Sequence, residues 1–399
     1  MPDRICTRFS DDDGIDIGCH LVTKEYMIEN YPHLVPWMKA PGLWLWGGNF
    51  IGRLGDNSTT NKSSPVQTVS SGTNWKVVFS GREHIGAIKT DGSLWLWGSN
   101  ADGELGNNST NVQSSPVQTV SGGTNWQSAS FGFDHSAAIK TDGSLWLWGG
   151  GNFGRLGNNS TASQSSPVQT VSGGTNWKSV SLMRCNSAAI KIDGTLWLWG
   201  SGGLGQLGNN STANQSSPVQ TVSGGTNWRS VSIGAYHSAA IKTDGSLWLW
   251  GLGNIGLLGT DSVTSQSSPV QTVSGGNNWR SVSLGNQHSA AIKTDGSLWL
   301  WGNGSFGRLG DNTTTNKSSP VQTVSGGTNW RSVCLGNQHS AAIKTDGSLW
   351  LWGRNFSGQI GDNSTTSQSS PVQTVSGGNN WRSVSVYEAS AAIRDEGEY

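Results

Sequence analysis

Little in this chain points to chemistry or to a membrane. Charged residues make up only 13%, and 25 basic and 25 acidic side chains cancel to a formal net charge of zero. A protein that grips nucleic acid by its phosphates carries a basic excess, so that partner class is not expected. No stretch approaches the ~18–20 apolar residues that span a bilayer, so membrane insertion is not expected. The start, Met1 to Asp13, is charged and lacks the apolar segment of a signal peptide, which predicts a soluble protein outside the signal-directed export route. The acidic cluster Asp11–Asp13 with Asp16 lacks calcium-loop spacing. The four cysteines (Cys6, Cys19, Cys185, Cys334) make no C-x-x-C, which argues against zinc or a disulfide framework. G-x-S-x-G, G-x-x-x-x-G-K-[ST] and H-E-x-x-H are all missing, so the expectation is no enzyme, no cofactor and no metal.

What is there is one stretch many times over. Leu-Trp-Leu-Trp-Gly stands at 43–47, 94–98, 145–149, 196–200, 247–251, 298–302 and 349–353, each copy 51 residues after the last. A fixed period of that length defines a repeat architecture. Within one unit, Trp330 to Leu335 alternates as a first strand, and His339 to Thr345 reads as a second. Asp346-Gly347 signals a two-residue hairpin turn with positive φ at both centres. Ser348 to Trp352 is the third strand, and Pro371 to Val375 a short fourth, where proline suits an outer edge.

Four antiparallel strands per unit predict a propeller blade. The repeated part begins at a third strand and finishes after a second one, so the two half-units complete one blade and leave no open edge. The expected fold is all-β, a seven-bladed β-propeller over 43–399, its ring closed by the N- and C-terminal half-blades. A non-repeat anchoring arm over 1–42 precedes it, with a short helix from Thr23 to about Asn30 and an extended run from Tyr31 to Met38. Three tryptophans per unit and Trp37 account for all 22. Their sameness predicts packing between blades, with Trp44 and Trp46 on one side of their strand and Leu43 and Leu45 on the other.

The pattern W-x-S-V-x-x-G-x-x-H-S-A-A-I-K-x-D-G-x-L-W-x-W-G, followed by G-x-L-G and P-V, resembles the regulator of chromosome condensation repeat family over 43–399. The resemblance implies a seven-bladed propeller closed by both termini. Family members have unrelated activities, so it does not settle function. The wedge insertion on which nucleotide exchange depends in that family is missing, because the spacing of the repeat never changes. The leader, Ile5-Cys-Thr-Arg-Phe-Ser-Asp with Leu21-Val-Thr-Lys-Glu-Tyr, is similar to those of propellers in marine bacteriophages.

His84, His135, His237, His288 and His339 recur at one position, replaced by Asn186 and Ala389 in the other two units. A histidine holding its own loop is the reading preferred to a metal ring. The informative feature is where the repeats differ. Gly-Gly-Thr-Asn-Trp, Thr-Asp-Gly-Ser and Ser-Ser-Pro-Val-Gln-Thr-Val hardly change, while two windows change freely. One joins strands one and two and contains Arg82, Glu83, Phe133, Asp134, Met183, Arg184, Tyr236, Asn286, Gln287, Asn337, Gln338, Tyr387 and Glu388. The other follows strand three and contains Asp102, Phe153, Ile255, Phe306 and Phe356. Both lie on one face of an up-and-down propeller. The expectation is a non-enzymatic binding propeller whose variable face meets a protein or a glycan. The favoured setting is the surface of a phage virion, as a tail- or capsid-associated component held to other virion proteins by residues 1–42. The alternative is an intracellular bacterial propeller acting as an interaction scaffold or inhibitor.

Overall fold

The computed structural model describes residues 4–10, 16–23, 39–69, 74–120, 123–273 and 276–396. Seven four-stranded antiparallel sheets form the ring, six of them wound in chain order. The closing sheet, blade 1, joins Trp381–Val386 and Ala389–Glu396 from one end of the repeat to Lys39–Gly47 and Lys62–Gln67 from the other. Blades 2 to 7 follow, their first strands starting at Trp75, Trp126, Trp177, Trp228, Trp279 and Trp330. Blade 6 is representative, with strands Trp279–Leu284, His288–Lys293, Leu298–Gly302 and Lys317–Gln322. The closing strand starts at Lys39, four residues ahead of the first Leu-Trp-Leu-Trp-Gly.

Ahead of the ring, Arg4–Ser10 pairs with Asp16–Thr23 in a hairpin, with Cys6 opposite Leu21 and Cys19 opposite Arg8. The helix expected after Thr23 and the extended run to Met38 lie outside the described residues.

Two local expectations are corrected. The turn after the second strand is wider than a two-residue hairpin. Gly347 N–H donates to the Lys344 carbonyl, so Thr345 and Asp346 occupy the centre and only Gly347 takes a positive φ, of 83°. That is the geometry of a type I turn closed by a glycine bulge. The Asp346 carboxylate then accepts from the Ser348 N–H and hydroxyl at 2.8 and 2.6 Å. The fourth strand spans Gln368–Gln373, beginning three residues before the proline rather than at it. It is the outer edge of its sheet, so the N–H that Pro371 lacks has no partner strand to serve.

The core lies between blades. Leu298, Leu300, Ala290 and Ile292 of blade 6 pack with Trp330, Leu335, Ala342 and Trp352 of blade 7 in one buried cluster. The two tryptophans of Leu-Trp-Leu-Trp-Gly are not equivalent. Trp352 is fully buried and meets Trp330 at 6.3 Å between ring centroids. Its Nε1 donates to the Arg308 carbonyl of the preceding blade at 2.9 Å. Trp350 is half-buried and donates instead to Ser348 of its own blade at 2.9 Å. The Lys344 ammonium sits between Trp330 and Trp350, 4.9 and 4.4 Å from the rings, as a cation over aromatic faces does. Burying one such indole contributes roughly 4–6 kcal/mol gross at about 25 cal/mol per Å².

Candidate functional site

The recurring histidine couples neighbouring blades; it does not hold its own loop. Ser340 donates its hydroxyl hydrogen to the Arg308 carbonyl at 2.8 Å, so it must accept at 3.0 Å from His288 Nε2 of the blade before. The same bridge joins His84 to Ser136, His135 to Ser187, His237 to Ser289 and His339 to Ser390. Burial pulls the imidazoles of His84, His237 and His339 down to about 3 and holds His135 and His288 well below the usual value. They are neutral structural groups. Among the described residues no cluster of His, Cys, Asp or Glu could hold a metal ion.

The imidazole also dictates the glycine three residues before it. A Cβ on Gly285 would stand 2.7 Å from His288 Cε1. In blades 4 and 1 that glycine is replaced by Met183 and Tyr387, and these are the blades whose histidine is replaced, by Asn186 and Ala389. Removing the ring makes room for the larger side chain. Met183 and Tyr387 turn inward and pack with Ala235, half-buried Phe133 and Tyr236 beside them. Phe133 and Tyr387 meet edge-on at 5.3 Å.

These residues plug one end of the axial channel. Below the plug is a cavity of about 130 Å³ lined by the first strands of all seven blades. Ser130, Ser181, Ser232 and Ser283 each accept the N–H of Leu182, Ile233, Leu284 and Leu335 in the next blade at 2.9–3.1 Å. Cys334 occupies the equivalent position in blade 7.

The first variable window therefore divides. Met183 and Tyr387 were expected on the contact surface; both are buried, 7% and 3% exposed. Arg82 stays exposed, paired with Glu83 at 3.6 Å and lying 5.2 Å from the Phe133 ring. Arg184 lies 5.0 Å from the Tyr236 ring and donates to its hydroxyl at 2.5 Å. On the other side of the mouth, Asn286 donates to Asn337 at 2.6 Å and Asn337 to Glu388 at 2.5 Å. Gln287 accepts from Asn303, and Gln338 from Arg354 at 2.8 Å.

The second window forms two kinds of loop. Asn49, Asn100 and Asn355 are fully buried organisers; Asn355 Oδ1 accepts the Ile360 N–H at 2.8 Å and its amide donates to Ser364 and Thr366 carbonyls. In blades 3 to 6 a glycine replaces that asparagine, and in three of these blades Phe153, Ile255 and Phe306 take positive φ values of 63°, 55° and 63°, whereas Leu204 of blade 4 does not. Phe356 is 55% exposed and meets Phe306 at 5.5 Å, with Arg354 over it at 4.9 Å. Phe153 is 46% exposed. Asp102 is half-buried and accepts from Ser163 of the next blade at 3.2 Å.

A third set escaped the sequence reading. Arg53, Glu104, Arg155 and Arg308 share one buried position beneath the loops. Arg53 and Arg155 donate to the Arg82 and Arg184 carbonyls at 2.9 Å, and Arg155 pairs with Asp134 at 3.2 Å, so the two windows form one surface. Burial pushes the Glu104 carboxyl up to about 7. Its signal in the sequence was a charged residue standing just before the leucine of G-x-L-G.

A closed ring of seven four-stranded blades, with one loop face varied from repeat to repeat, defines a repeat propeller by its geometry. The chain belongs to the RCC1-like domain family, whose model matches residues 42–393. It is 30% identical to the ultraviolet-B receptor UVR8 of Arabidopsis thaliana over 74% of this chain and 69% of that protein. It is 28% identical to the E3 ubiquitin-protein ligase HERC2 of Homo sapiens over 86% of this chain, which spans only 8% of that protein. Among solved structures it is similar to yeast RCC1 (Prp20) bound to Kap60, with a TM-score of 0.78 and 18% identity, covering 92% of this chain and 91% of that one. Human WBSCR16 is similar too, with a TM-score of 0.75 and 19% identity, covering 89% and 99%. At these identities the structures establish the fold alone.

Proposed function

We propose that the protein is a non-enzymatic scaffold that binds another protein through the face bearing the two variable windows. The observation that carries this reading is backbone strain kept for side chains. On the opposite face the positive-φ turn residue is glycine, as at Gly296 and Gly347. On this face Phe153, Ile255 and Phe306 occupy the left-handed region, which costs an L-residue about 1–2 kcal/mol and is least suited to a β-branched one. Glycine would remove that cost, so the apolar side chains are retained for something the ring itself does not need. Aromatic rings beside arginine, as at Phe306, Phe356 and Arg354, are the composition of protein-binding hot spots. Yeast Prp20, a propeller of the same fold, is described in complex with Kap60 and binding Gsp1p and histones, in keeping with a protein partner.

The scaffold reading is preferred to a virion component, which rests on the leader and on the neutral, Ser/Thr/Asn-rich composition. Its test compares proteins retained from a lysate of the producing cells by the parent and by Phe306→Ser/Phe356→Ser. The double variant is expected to melt with the parent and to lose specific retained proteins; an unchanged set sinks the proposal. Separately, Ile255→Gly is expected to raise stability by about 0.5–1 kcal/mol in urea denaturation.

A further inference from the structure

The zero net charge hides a separation. The second residue of each first strand is Lys76, Lys178, Arg229, Arg280, Arg331 or Arg382 in six blades, with Gln127 in the seventh. First strands line the channel, so these residues ring its other mouth, on the face of the Asp-Gly turns. All are exposed except Arg229, which is half-buried.

Four consecutive blades build the ring into an arc. Arg229 Nη2 donates to the Trp279 and Arg280 carbonyls at 2.7 and 3.0 Å. Arg280 does the same to Trp330 and Arg331, and Arg331 to Trp381 and Arg382. The guanidinium groups of Arg229, Arg280 and Arg331 are thus each fixed by one nitrogen, leaving their Nη1 and Nε hydrogens to be presented. On the same face Lys89 is followed two residues on by Asp91, whose carboxyl is held below the usual range chiefly by hydrogen bonds from Ser93, with the Lys89 charge adding to them. Among the described residues the arc is met by one carboxylate, Asp395, bound to Arg382 Nε at 2.6 Å. On the variable face, Arg155 pairs with Asp134 and Arg82 with Glu83, while Arg184 and Arg354 donate to Tyr236 and Gln338.

We propose that this arginine arc is a second docking site, for an acidic peptide segment of a partner protein. The Asp395–Arg382 pair shows the contact such a segment would repeat along the arc. Carboxylates fit better than a nucleic acid, because the neighbouring tryptophans Trp279, Trp330 and Trp381 are buried and offer no base-stacking platform. The site is separate from the diversified face, so failure of either proposal leaves the other standing.

The probe is a fluorescein-labelled oligoglutamate peptide followed by fluorescence anisotropy across a salt series. Saturable, salt-sensitive binding is expected, weakened about tenfold or more in Arg280→Gln/Arg331→Gln. Arg82→Gln/Arg184→Gln, on the opposite face, is expected to bind as the parent does. Because the first variant also loses carbonyl bonds, Lys76→Gln/Lys178→Gln is run beside it; those lysines staple no blades, and the variant is expected to melt normally and bind about threefold more weakly. No binding by the parent, or equal binding by both ring variants, overturns the site. Tighter binding of single-stranded DNA of matched charge overturns the choice of an acidic peptide.

Discussion

Between blades 6 and 7, His288 donates to Ser340, which donates in turn to the Arg308 carbonyl. Between blades 1 and 2 the same two positions hold Ala389 and Ile85, both buried in one apolar cluster with Leu43, Leu45 and Trp97. Both partners of the polar pair are exchanged together, at the interface where the closing blade meets the next. The shared part of the lock is kept: Trp97 Nε1 donates to the Arg53 carbonyl at 2.8 Å, as Trp352 does to Arg308 at 2.9 Å. The comparison teaches that the ring needs the indole bond and a filled interface, while the polar bridge is one way to fill it and the apolar pair another. A buried hydrogen bond adds little net stability when both partners can be replaced by well-packed apolar groups, yet removing one partner alone is expensive.

Acid separates the two interfaces most strongly. The unfolded histidine titrates near 6.5, whereas His84, His237 and His339 are depressed to about 3 when folded. The unfolded chain therefore takes up more protons below the unfolded value, and stability is full above it and falls as the pH drops toward the folded one. Each buried histidine contributes a slope of up to about 1.4 kcal/mol per pH unit in that window. Denaturant melts between pH 7 and pH 5 should show the loss, and hydrogen exchange should show it first at the His–Ser interfaces and last between blades 1 and 2. Uniform loosening would break the comparison.

His288→Ala comes next, with an expected loss of about 3 kcal/mol in urea unfolding, from the cavity and the lost donor. Ile85→Ser is expected to cost about 2 kcal/mol, because it opens the apolar cluster and finds no histidine in blade 1. The smallest effect is the most diagnostic: in His288→Ala/Ser340→Ile the losses should fall short of additive by about 1 kcal/mol, as the closing interface is recreated. Strict additivity would mean that Ala389 and Ile85 are not a compensating pair.

The plug follows the same logic. Met183 and Tyr387 look like members of a varied surface window until each is set beside the histidine missing three or two residues later, at Asn186 and Ala389. Gly285 beside His288 supplies the reason, a Cβ-to-ring distance that only one of the two groups can occupy. That pairing was visible in the chain, but its meaning needed the distance. The buried arginines beneath the loops and the arginine arc were less legible, because net charge and residue type say nothing of which side chains face one another.

The sequence alone determined the number of blades, their strand order, the closure by both chain ends and the buried indoles. These depend on periodicity, and a repeat of fixed length with two-residue alternation allows few arrangements. The tertiary structure decided which of the two tryptophans seals an interface, why the histidine points to the next blade, which varied residues are surface and which are plug, and where the cancelling charges come apart. Those are contacts between units 51 residues apart, and their energies depend on distance and burial, which one blade read by itself does not contain.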